Sequence, residues 1–142
     1  MDDQRKTLVL DANILVRAAL GPRVRELIIA HAADIDLFTP TVCFDDAARY
    51  VPLVLARRGI DPSEALEVIR LLRPLVRCLE LEWLAGHEAA ARARLRGRDE
   101  DDWPILAAAL MLSCPVWTED TDLFGIGIAT WSTLHVAEYL KS

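Results

Sequence analysis

Carboxylates recur in this chain at the places where an alternating strand and helix fold exposes its ends. Asp11 directly follows the apolar run Thr7-Leu8-Val9-Leu10. Asp46, with Asp45 beside it, stands near the expected start of a long helix. Asp102 precedes Trp103-Pro104-Ile105-Leu106-Ala107-Ala108-Ala109, and Asp120 and Asp122 follow Cys114-Pro115-Val116-Trp117 by way of Thr118-Glu119. Carboxylates gathered at one spot repel each other, and divalent cations remove that repulsion. Donor sets made only of oxygen favour Mg²⁺ or Mn²⁺. The chemistry suited to them is phosphodiester hydrolysis, in which metal ions generate hydroxide and stabilise the leaving oxygen. Each acid also has a plainer role: turn residue for Asp11, helix-start acid for Asp46, N-cap for Asp102, loop residues for Asp120 and Asp122. Independent caps have no reason to share one sheet edge, so the elements that carry them decide the matter.

The apolar runs are short and alternate with helical periodicity. Residues 7–10 read as a strand, an acidic turn follows, and residues 14–20 continue with helical character to Gly21-Pro22. In 23–32 the positions Val24, Leu27, Ile28 and Ala32 recur at spacings of three and four, an amphipathic helix. Residues 35–39 read as a second strand, and 42–58 as a long helix kinked at Pro52. Asp61-Pro62-Ser63-Glu64 has the form of a helix start, and that helix runs to about Arg73. A third strand is expected over 76–81, a helix over 83–95, the apolar helix after Asp102, and a fourth strand at Cys114-Pro115-Val116-Trp117. A loop at Phe124-Gly125-Ile126-Gly127, a fifth strand over 128–131 and a helix capped by Ser132 or Thr133 complete the chain. This alternation predicts one α/β domain over 1–142, with a central, mainly parallel sheet of about five strands flanked by helices. The crevice of such a sheet lies at the carboxyl ends of its strands. If the first and fourth strands are neighbours, the ends carrying Asp11 and Asp120 lie about 5 Å apart.

Composition narrows the function further. No apolar run approaches the roughly 18 to 20 residues that span a bilayer, and the charged start leads straight into a strand, so no membrane segment or signal peptide is expected and the cytoplasm is the default location. Cys43, Cys78 and Cys114 are odd in number and set apart among apolar residues, and His31, His87 and His135 are scattered, which argues against disulfides and against zinc. A net charge of −6 argues against a general nucleic-acid coating protein but not against a nuclease. Arg residues can still form a local track for phosphates, and all but two of the 16 basic residues, Lys6 and Lys141, are Arg.

At these acids the sequence resembles the PIN-domain ribonucleases, the family that includes the VapC-like toxins of bacterial toxin–antitoxin pairs. The matching pieces are Leu8-Val9-Leu10-Asp11-Ala12-Asn13, Asp102-Trp103-Pro104-Ile105-Leu106-Ala107-Ala108-Ala109 and Thr118-Glu119-Asp120-Thr121-Asp122-Leu123-Phe124. Their order and spacing agree over nearly the whole chain. The family's second acid is usually Glu; here the candidate is Asp46, one methylene shorter, with the adjacent Asp45 as a supporting residue close enough to exchange roles with it. The resemblance implies that Asp11, Asp46, Asp102 and Asp120 bind Mg²⁺ or Mn²⁺, with Asp122 as a further ligand or supporting partner. It makes Asn13 and Thr118 supporting polar groups. The implied reaction is cleavage of single-stranded RNA by metal-activated water, leaving a 3′-hydroxyl. Arg17, Arg92, Arg96 and Arg98 are the candidates for phosphate contacts, and Trp103 is assigned to core packing rather than base stacking. A homodimer, formed through the apolar helices of 42–73, and an antitoxin protein partner are family expectations.

Two rival classes remain. A haloacid-dehalogenase-like phosphatase also begins with Asp after its first strand, but needs a second Asp two residues on, where this chain has Asn13, and a Lys near the site. A response-regulator receiver domain fails for the same missing Lys. The other class is a catalytically inert PIN-like interaction domain, kept open by the Asp at position 46.

Overall fold

The computed structural model describes residues 5–141. Five short strands, β1 (Thr7–Leu10), β2 (Asp36–Pro40), β3 (Arg77–Leu79), β4 (Val116–Trp117) and β5 (Thr130–Trp131), form one sheet in the order β3-β2-β1-β4-β5. All four pairings are parallel. Leu8, Val9 and Leu10 are fully buried in succession, as expected of a central strand covered on both faces. The chain builds from β1 through β2 to β3 on one side, then returns to lay β4 and β5 on the other. The order therefore reverses between β1 and β4, which opens a crevice at their carboxyl ends. Asp11 follows one of those strands and Thr118 the other.

Eight α-helices lie among the described residues: α1 (Ala12–Leu20), α2 (Pro22–His31), α3 (Thr41–Arg57), α4 (Ser63–Leu72), α5 (Leu81–Leu84), α6 (Glu88–Arg94), α7 (Trp103–Leu112) and α8 (Val136–Lys141). They pack as two groups, α1 to α4 and α5 to α7. In α7, Pro104 stands in the first turn, where a backbone N–H has no intrahelical partner to lose. Residues 104–109 are buried without interruption, and the run of alanines lets this helix press close to β1 and β2. Ser113, at φ 52°, takes the left-handed conformation that ends the helix and turns the chain into β4.

The sequence-predicted elements are all present, with shifted limits. The helix expected over 83–95 is broken into α5, a 3₁₀ turn Ala85–His87 and α6, with Gly86, a residue that favours helix poorly, inside the break. α3 runs unbroken from Thr41 to Arg57 with Pro52 inside it. Asp61 does cap its segment, its Oδ1 accepting the Ser63 N–H at 2.8 Å, but α4 begins at Ser63. The last helix starts only at Val136, because 133–135 form turns whose amides His135 and Val136 bond back to the Ser132 carbonyl.

Candidate active site

Asp11 leaves β1 in extended geometry and is the N-cap of α1, its Oδ1 accepting the Ala12 N–H at 2.7 Å. Its other oxygen, Oδ2, accepts from Thr118 Oγ1 at 2.7 Å and from Asn13 Nδ2 at 3.2 Å. The side chain is 8% exposed, so its charge is held in place by donors rather than by bulk water. Burial pushes its pKa up; the hydrogen bonds from Thr118 and Ala12 oppose this, and the Asp120 charge adds to it.

Thr118 is completely buried at the end of β4. Its hydroxyl donates to Asp11 and accepts the Asp120 N–H at 2.9 Å. Asn13 joins the same ends from α1, its Oδ1 accepting the Glu119 N–H at 3.2 Å. These two residues stitch the β1 and β4 ends into one framework.

Asp102 ends a 3₁₀ turn, Glu100–Asp102, and occupies the cap position of α7, yet its side chain makes no capping bond. Asp99 does that work one turn earlier, its Oδ1 accepting the Asp101 N–H at 3.0 Å. The Asp102 carboxyl faces other acids instead. Its pKa is pushed up to about 7, first by partial burial, then by the charges of Asp11, Asp120 and Asp99 and by a hydrogen bond with Asp120. Asp120 is itself oriented, its Oδ1 accepting the Asp122 N–H at 2.9 Å. Asp11, Asp102 and Asp120 thus share one electrostatic environment at the reversal of strand order.

Asp46 and Asp45 separate in space. Asp46 shares a groove lining with Ala12 and Asn13, and its charge, like that of Asp11, raises the pKa of the buried Cys43 thiol behind the site. Its Oδ1 accepts from Arg49 Nη2 at 2.6 Å. Asp45 is directed to α4, 3.5 Å from Arg73 Nη2. Asp122 is exposed and serves the loop through its amide.

The expected arginines differ in their surroundings. Arg17 and Arg96 are exposed and form no ion pair among the described residues. Arg92 donates to Glu88 at 2.8 Å and lies over the Trp103 ring, 5.7 Å from its centroid, which makes Trp103 a packing residue. Arg98 Nη1 donates to the carbonyl oxygens of Asp122 and Phe124. Arg94, not singled out from the sequence, donates to the Ile126 carbonyl at 3.0 Å. Its four-residue spacing from Arg98 is the only trace of this in the sequence. Glu119 was likewise missed: its Oε2 accepts the Thr133 N–H at 2.6 Å and joins the β4 end to the segment after β5.

The donor set at the crevice is entirely carboxylate, the chemistry of a hard divalent cation. Among the described residues no three His, Cys, Asp or Glu side chains are already spaced as a closed cage. An ion that keeps several of its waters, as Mg²⁺ does, needs no such cage.

A family model described as a PIN domain matches residues 9–141. No curated protein matches by sequence. Among solved structures, a chain of VapBC2 from Rickettsia felis, crystallised with a DNA fragment from their promoter, is similar with a TM-score of 0.67 at 10% identity, covering 89% of this chain and 98% of its own. A chain of FitAcB from Neisseria gonorrhoeae is similar with a TM-score of 0.64 at 22% identity, covering 90% of this chain and 99% of its own. At these identities the likeness is one of fold.

Proposed function

The chain belongs to the PIN-domain family, and on that premise we propose that it is an endoribonuclease that hydrolyses single-stranded RNA with Mg²⁺ or Mn²⁺, the toxin of a toxin–antitoxin pair. Members of the family are generally metal-dependent nucleases. The observation that carries the reading is the common environment of Asp11, Asp102 and Asp120, in which partial burial first, and then the charges of the neighbouring acids, raise the Asp102 pKa to about 7. Without a cation such a cluster only destabilises the fold.

Asp11, Asp102, Asp120 and Asp46 are the residues that would hold the ion, with Asp122 beside them. When bound, a divalent cation polarises the phosphate and lowers the pKa of a water. The chain's own part is orientation: Thr118 and Asn13 fix Asp11, and the Asp122 amide fixes Asp120. Arg17 and Arg96, exposed and without an ion pair among the described residues, are the stronger candidates for phosphate contacts, while Arg92 and Arg98 are engaged by Glu88 and by backbone carbonyls.

The similarity of fold to chains of VapBC2 and FitAcB supports the VapC-like branch. An antitoxin segment would cover the apolar groove lined by Val16, Ala47, Tyr50 and Leu53, which opens beside Asn13 and Asp46. Exposed Leu71 on α4 is part of the surface for a homodimer. The test is incubation of a mixed-sequence single-stranded RNA with Mn²⁺, Mg²⁺ or EDTA. The expected result is cleavage with either metal, products ending in a 3′-hydroxyl, and none with EDTA or in Asp102→Asn. Cleavage that survives EDTA contradicts the reading, and a wild type that neither cleaves RNA nor binds metal is the interaction domain.

A further inference from the structure

The acidic loop after β4 is held from outside the site. Arg98 Nη1 reaches the carbonyl oxygens of both Asp122, at 2.5 Å, and Phe124, at 2.6 Å. One turn earlier, Arg94 Nη1 reaches the Ile126 carbonyl at 3.0 Å. Two glycines permit these approaches. Gly97, at φ +84°, lies in the turn after α6 and redirects the chain to Arg98. Gly127, at φ +88°, brings its backbone so near Arg94 that a Cβ there would collide with Nη1. Arg92, in the same segment, lies over Trp103 and within 3.9 Å of Glu100, on the turn that presents Asp102.

The peptide units complete the connection. Asp122 gives its N–H to the Asp120 carboxylate and its carbonyl to Arg98, so a single residue joins the arginine to the acid. Charge-assisted bonds to carbonyls are stronger than neutral ones, and they hold a loop that otherwise carries two glycines with positive φ, Gly125 and Gly127. We propose that Arg94 and Arg98 are positioning residues that clamp the loop of residues 120–127 and set the Asp120 carboxylate opposite Asp102. This rests on the metal-site reading of those two acids. The arginines touch neither acid directly, and their bonds go to backbone, not to groups that a substrate phosphate would replace.

The test uses Arg98→Met and Arg94→Met in the full chain, with Arg98→Lys as the conservative variant. Amide hydrogen exchange over 120–127 and Mn²⁺ affinity by calorimetry are read for each, with the melting temperature as a check on folding. Both Met variants are expected to exchange faster in this loop and to bind Mn²⁺ about tenfold more weakly, the loss typical of a residue that orients a ligand. Arg98→Lys, which keeps a charged donor, is expected to recover most of the affinity. Unchanged exchange in the Met variants overturns the clamp. So does unchanged Mn²⁺ affinity accompanied by weaker RNA binding and a salt dependence shallower by about one ion, the signature of a phosphate contact. If the wild type binds no Mn²⁺, the metal-site reading fails separately, and faster exchange in the Met variants still establishes the clamp on the loop.

Discussion

Thr118 Oγ1 lies 2.7 Å from Asp11 Oδ2, so the hydroxyl at the end of β4 holds the carboxylate at the end of β1. Because the order of strands reverses between these two, this bond spans the mouth of the crevice. Thr118→Val keeps the shape and removes the donor to Asp11 and the acceptor of the Asp120 amide. Leaving buried groups unpaired is expected to lower stability by about 1–3 kcal/mol, measured by urea denaturation, while Thr118→Ser retains most of it.

The pH dependence follows from Asp102. Its pKa is raised from 3.8 to about 7 in the folded chain. Below about pH 4 the group is protonated in both states. Between about 4 and 7 the unfolded chain releases this proton and the folded chain keeps it, so stability falls as pH rises and levels off above 7. The full difference would be about 4 kcal/mol, but solvent screening of a half-buried group reduces it to about 1–2. Denaturation of the metal-free protein from pH 4 to 8 checks this: Asp102→Asn should flatten the fall and be the more stable protein at pH 8.

Asp46 and Asp45 should separate as cleanly in function as in space. Asp46→Asn is expected to reduce metal-dependent cleavage at least tenfold. Asp45→Asn loses a solvent-exposed pairing with Arg73, worth about 0.5 kcal/mol or less, and should cleave like the wild type. Cleavage rates of the two variants at equal metal concentration decide it.

The α7 helix is the support beneath the site. Leu106 is fully buried, and Leu106→Ala is expected to cost about 2–5 kcal/mol, with an unchanged denaturant slope in urea.

The sequence carries the acids better than it carries their supports. Asp11 and Asp120 are readable because each follows an apolar strand, and parallel strands send their carboxyl ends to one edge. Asp102 is readable because it precedes a helix too apolar to sit anywhere but the core. The choice between Asp45 and Asp46 is not, since adjacent helical residues differ by about 100° in direction and only packing against α1 and α4 assigns them. Arg98 reads in sequence as part of a basic face. Its bonds to carbonyls 24 and 26 residues further on leave no periodicity behind. The break at Gly86 is equally hidden, because a lone glycine is compatible with a continuous helix until tertiary packing chooses otherwise.

The most direct measurement is a calorimetric Mn²⁺ titration at pH 8 of the wild type, Asp11→Asn, Asp102→Asn, Asp120→Asn and Asp45→Asn. The convergent carboxylates predict binding in the wild type and in Asp45→Asn, and its loss by at least tenfold in each of the other three. Equal affinity in all five proteins, or no binding in the wild type, would contradict the metal site.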